Sequence, residues 1–286
     1  MRTLLVVSLA IALAGCAAKQ HCEIETPHGP AQPFLWKAQG KSGDIVWLYG
    51  TIHDAGLDAV PKVALDALDR SARLMTELGD VDPDPDMFRD HARIKSGPGI
   101  DQLLPSDDWY DLRDTLVGAK IKEDDLRRAR PWYAMSLLTT HLAPSPGPSM
   151  DVELAKRAHG TDKPVDYLET WQDQLAALDG AVGIRDLQEA IHARKTMKCE
   201  LDRLVTAYRA GDVATMQALL VIPRTQDTLL TARNQKWFPQ IEQQLAKGGA
   251  FVAVGLGHML GEQGLVAMLQ RAGYTVERMP AAAASR

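Results

Sequence analysis

The feature that most constrains this chain is a short device that occurs twice, once near each end. Trp47-Leu-Tyr-Gly-Thr-Ile-His53 and Phe251-Val-Ala-Val-Gly-Leu-Gly-His258 both close an apolar, β-rich run with Gly-x-x-His. A segment of helical periodicity follows each one: Val60, Val63, Ala64, Ala67, Leu68 and Ala72 after the first, Glu262 to Arg271 after the second. Then comes another short strand-like run, Leu74–Leu78 or Tyr274–Met279. Strand, helix, strand in that order predicts an α/β fold, a central mixed sheet built from two β-GxxH-α-β units. Both histidines then leave the sheet at the carboxyl end of a strand, where open α/β sheets bind their ligands. Two copies form a pair rather than a solenoid array.

The 286 residues, 45% hydrophobic and 24% charged, suffice for one domain with a full core. A formal charge of -5, with no clustered run of Lys and Arg, sets nucleic-acid binding aside. The first residues read as an address: Arg2, an apolar stretch Leu4–Leu13, then Leu13-Ala-Gly-Cys16. That pattern resembles a bacterial lipoprotein signal peptide. It implies cleavage before Cys16, a lipid on that cysteine, and, with Ala17 and Ala18 following, an outer-membrane protein facing the periplasm. Cys22 and Cys199 remain, and in an oxidising compartment they read first as a disulfide, the alternative being two separate thiols. The layout is thus signal 1–15, linker 16–32, domain 33–280 and a disordered tail 281–286.

Within the domain, Phe34–Ala38 and Asp44–Gly50 predict a hairpin about Gly40-Lys-Ser-Gly43. The run Leu74–Leu78 predicts a strand parallel to it, with Glu77 emerging beside His53. Residues 80–149, broken by proline joints, predict a helical insertion that roofs the sheet and supplies the substrate wall. Beyond it come a helix at Met150–Ala158 capped by Ser149 and a strand at Lys163–Glu169. Helices are expected at Trp171–Leu178, from Ile184 towards Arg209, at Val213–Leu220 and at Leu229–Ala246.

Neutral imidazole serves either as metal ligand or as proton carrier near neutral pH. His53, His258 and Glu77 form a donor set suited to Zn, Mn, Fe or Co, and a bound divalent metal ion would supply hydroxide at neutral pH. The plainer reading makes each histidine a core or capping residue, and pairs Glu77 with Arg73 or Arg233 in a structural ion pair.

Taken together, Tyr49-Gly-Thr-Ile-His53, Glu77, Met150-Asp-Val-Glu-Leu-Ala, Lys163-Pro-Val-Asp-Tyr-Leu-Glu169, Ala232-Arg-Asn234 and Val254-Gly-Leu-Gly-His-Met-Leu-Gly261 resemble the TraB/GumN family. That family is allied to the Tiki metalloproteases and, more distantly, to erythromycin-esterase-like and ChaN-like proteins. The resemblance spans about residues 33 to 280. It implies that His53 and His258 are metal ligands or catalytic histidines and that Glu77 is a ligand or base. It also implies that Arg233 and Asn234 face the site, one toward an oxyanion and the other orienting water or substrate. Asp151 and Glu169 match motif positions too, with helix capping and an ion pair as their plainer roles.

The expectation is a lipid-anchored, metal-dependent hydrolase of the peptidase type, acting on a peptide or small molecule. Its rivals are a metal-independent His/Glu esterase-like hydrolase and a lipoprotein that binds metal, haem or peptide without turnover.

Overall fold

The computed structural model describes residues 32–40, 43–79, 82–143 and 147–280. The signal segment, most of the linker and the tail lie outside the described residues. The chain opens with strands β1 (Leu35–Gln39) and β2 (Ile45–Thr51), antiparallel with Leu35 opposite Tyr49. Helix α1 (Lys62–Arg70) leads to β3 (Arg73–Thr76). Five helices follow: α2 (Pro85–Ala92), α3 (Ile100–Leu103), α4 (Ser106–Gly118), α5 (Glu123–Arg127) and α6 (Pro131–Leu142).

Next are α7 (Met150–His159) and β4 (Val165–Tyr167), then α8 (Trp171–Ala181), α9 (Ile184–Ala193), α10 (Met197–Ala210), α11 (Val213–Leu220) and α12 (Pro223–Gln226). A π-helical turn, Asp227–Thr231, runs into α13 (Ala232–Lys247). The chain closes with β5 (Ala250–Gly255), α14 (Leu265–Arg271) and β6 (Thr275–Arg278).

The six strands of the described residues form one sheet in the order β4-β3-β5-β2-β1-β6. Strand β1 is antiparallel to both of its neighbours, while β4, β3, β5 and β2 pair in parallel. The fold is therefore α/β with a mixed sheet, and β3 runs parallel to β2 with β5 between them. Strand β5 is buried on both faces, which is why Ala250 to Val254 reads as an unbroken apolar run rather than an alternating one.

Local chemistry sets many of the boundaries. Asp84 caps α2 by accepting from the Asp86 and Met87 amides, with Pro85 in the first turn. Thr170 and Asp173 close a capping box on α8. Gly211 ends α10 at φ 70°, where a Cβ would also lie 2.0 Å from the Gln32 carbonyl oxygen. Ser149 starts α7 as expected but makes no side-chain cap bond.

Two expectations change. The single helix from Ile184 towards Arg209 is broken between α9 and α10, where Thr196 sits at ψ -4° and the side chains of Arg194 and Thr196 bond the carbonyls of Ile191 and Ala193. The helical region is also larger than residues 80–149. Leu112, Leu116, Leu126 and Leu138 share one apolar cluster with Leu187, Ile191 and Met197 of α9 and α10, so the insertion has no core of its own. No helix among the described residues is long and apolar enough to cross a membrane.

Candidate functional site

Four adjacent parallel strands end at one margin of the sheet, and each delivers a polar residue there. Glu169 follows β4, Glu77 follows β3, His258 follows β5 and His53 follows β2. Thr51 stands opposite Gly255 in the register, which places the two Gly-x-x-His turns side by side. The glycines make room rather than adopt unusual torsions. A Cβ on Gly50 would lie 2.5 Å from Leu256 Cδ1, and one on Gly255 would lie 3.1 Å from Glu77 Oε1.

Arg233 is the hub. Its Nε donates to Glu169 Oε2 at 3.0 Å, and Nη2 reaches Glu169 Oε1 and Glu77 Oε2, each at 2.6 Å, and Gln174 Oε1 at 3.0 Å. Nη1 donates to the Leu229 carbonyl and to His258 Nε2, both at 3.0 Å. The five N–H bonds of a guanidinium are all committed by these contacts. Trp237, fully buried, stacks with Arg233 at 4.7 Å and with the His258 ring at 4.4 Å. The π turn just before Arg233 moves backbone pairing by one residue, as in the Ala232 amide bonding to Asp227, and helps set where this arginine points.

The network also fixes the tautomer of His258. Asn234 Nδ2 donates to the carbonyls of His258 and Gln263 at 3.1 and 3.0 Å, which leaves Oδ1 facing His258 Nδ1 at 2.7 Å. Nδ1 therefore carries the hydrogen and Nε2 accepts from Arg233. Burial, together with the positive charges of Arg233 and His53, outweighs Glu77 and brings this imidazole down to about 3, so it is neutral. Burial would raise the Glu77 carboxyl, but Arg233, the two histidines and the Gly255 amide, which donates to Oε1 at 2.6 Å, bring it down to about 2. Glu169 moves the other way: its burial outweighs Arg233 and raises it.

His53 differs from His258. Its Nδ1 lies 3.0 Å from Asp151 Oδ2, an ion-pair contact poorly aligned for a hydrogen bond, and its side chain is 32% exposed. Asp151 accepts from Thr51 Oγ1 at 2.7 Å. Burial would lower His53, but Asp151, Glu77 and Asp54 outweigh it and push it up to about 9. The sequence left Asp151 as either a motif position or a helix cap, and its carboxylate serves Thr51 and His53. Its place in the motif Met150-Asp was the only signal.

His53, Glu77, Arg233 and His258 line one pocket of about 120 Å³. Its apolar side is Ala177, Leu178, Leu204, Leu220, Ile222, Leu229 and Leu230. That wall comes from residues 177–230, whereas residues 80–149 were expected to supply it; none of the described residues of that stretch lines the pocket.

The expected residues thus converge, but their roles shift. Arg233 lines the pocket with no N–H left for an oxyanion, and Asn234 is fully buried behind His258, holding the ring rather than water or substrate. Arg73, the other candidate partner for Glu77, bonds Asp166 instead.

A divalent metal does not fit this arrangement of His53, His258 and Glu77. Both nitrogens of His258 and both oxygens of Glu77 are engaged, and a guanidinium lies between them. Among the described residues no three His, Cys, Asp or Glu side chains form a group able to hold an ion. Cys199, on α10, is disulfide-bonded, while Cys16 and Cys22 lie outside the described residues.

No curated protein and no solved structure matches the chain. The profile of one family does match, over residues 34–278, a span that contains every strand of the sheet and all of the residues gathered at its margin. With two Gly-x-x-His turns meeting over parallel strands and that match covering most of its length, the chain belongs to the TraB/PrgY/gumN family.

Proposed function

We propose that this protein is a hydrolase of carbonyl substrates, an ester or a peptide bond beside an apolar group, and that it works without a metal. The observation that carries this reading is the His53–Asp151 pair. It lies in a pocket with one apolar side, and Nδ1 of His53 stands 3.0 Å from Asp151 Oδ2. A histidine oriented in this way is the usual arrangement for moving a proton to or from water or a leaving group. The resting ring is protonated at neutral pH, so action as a base requires loss of that proton, and the rate should rise as the pH approaches about 9. Neutral His258 and ionised Glu77, locked by Arg233, form the rigid opposite side, and the leucines receive an aliphatic or acyl group.

A metal-dependent peptidase is the second reading, favoured by one observation: His53, His258 and Glu77 line the same pocket. The two are separated by assaying untagged protein on a panel of p-nitrophenyl esters and peptides after exhaustive chelation. The metal-free reading predicts an undiminished rate. Loss of activity on chelation, with recovery on adding Mn²⁺, Co²⁺ or Zn²⁺, would overturn it.

We also infer that the chain is held at the periplasmic side of an outer membrane by a lipid on Cys16. The support is Arg2, the apolar stretch after it and Leu13-Ala-Gly-Cys16. Cys16→Ser is expected to move the protein from the membrane fraction to the soluble one. A wild-type chain found wholly soluble after export would refute the anchor.

A further inference from the structure

We propose that Arg233 is the resident cation of this site: its guanidinium stands where a divalent ion would have to stand, between Glu77, Glu169 and His258, and holds them without one. The inference does not depend on hydrolysis, because it concerns what neutralises the buried carboxylates.

Three observations carry it. The first is geometric. Nη2 lies 2.6 Å from one oxygen of each glutamate, and the neighbouring Nη1 lies 3.0 Å from the lone pair of His258 Nε2. An ion bonded at about 2.0–2.2 Å would have to draw the same donor atoms inward from where the guanidinium holds them. The second is burial. The Glu169 side chain is 1% exposed, and those of Glu77 and Arg233 are 13% exposed, so two carboxylates kept this dry need an adjacent cation of some kind.

The third is the state of His258. A ligand imidazole commonly keeps its far N–H on a hydrogen-bond acceptor so that its near nitrogen presents a lone pair. Asn234 provides that acceptor, and the lone pair meets Arg233. The surroundings are those of a metal ligand, while the cation is part of the chain. Arg233 is thus a positioning residue for Glu77, Glu169 and His258.

The test uses untagged full-length protein and reads metal content, with thermal unfolding alongside it. Native protein equilibrated with MnCl₂ or ZnCl₂ and then gel-filtered should carry no stoichiometric ion, and its Tm should not move. Arg233→Met, which removes the charge but keeps bulk, should take up an ion. Its Tm should rise by about 5–10 °C at a hundredfold excess of metal over Kd. His258→Asn added to Arg233→Met should abolish both effects.

A native chain that binds an ion and loses it in His258→Asn would overturn the proposal. So would a folded Arg233→Met that binds none. Should Arg233→Met not fold even with metal present, Arg233→Lys decides: the tethered ammonium should still exclude the ion, and uptake by that variant would refute the assignment.

Discussion

Arg233→Ala should destabilise the fold by about 3–5 kcal/mol at neutral pH, with a deficit that shrinks in acid. The magnitude is that of removing one partner from a buried ion pair, here with two carboxylates left behind. The pH dependence follows from linkage. In the native chain Glu77 is lowered from 4.5 to about 2, so its contribution is present above pH 4.5 and is lost as the pH falls toward 2. Without the guanidinium, burial and mutual repulsion raise both carboxyls, and the variant is then relatively most stable when they are protonated. Urea unfolding at pH 7.5 and at pH 3 reads the difference. An equal deficit at the two pH values would mean that Arg233 contributes packing against Trp237 rather than charge.

The second large effect concerns His53. His53→Ala should reduce turnover by about 10²–10⁴-fold while leaving the fold intact, since the side chain is 32% exposed. Asp151→Asn should act on the pH profile: the apparent pKa governing the rate falls from about 9 toward the ordinary 6.5. Stability changes in a defined window. A histidine raised from 6.5 to about 9 contributes stability that is fully present below 6.5 and is lost as the pH rises through 9. Asp151→Asn should therefore cost about 1–2 kcal/mol at pH 6, after allowing for solvent screening of a ring 32% exposed, and almost nothing at pH 10. A rate profile unmoved by Asp151→Asn would remove His53 as the proton carrier.

What was legible in the sequence was local. A glycine ending an apolar run and a histidine three residues on announce a strand end, and both turns lie where that grammar puts them. Glu77 was legible because a lone charge closing an apolar run must find a countercharge, and Arg233 was one of the two candidates named. What could not be read was which distant elements meet. Nothing near Asp151 points to Thr51, one hundred residues away, because their hydrogen bond follows from how α7 packs against β3 and β4. The pocket wall was assigned to residues 80–149 because apolar periodicity tells that a helix buries a face, not which neighbour covers it. The break between α9 and α10 has no glycine or proline to mark it; there the Arg194 and Thr196 side chains bond the carbonyls of Ile191 and Ala193.

The place of β5 in the sheet bears on how the protein is made. A ribosome releases β2 and β3 early, yet neither can pair with the other, because the strand that joins them is residues 250–255. Until then each presents an unpaired backbone edge, the kind of surface that templates aggregation, and closing so long a loop is slow. A transcript cut short before β5 would therefore give not a weakened protein but an insoluble one, with His53 and Glu77 never brought together.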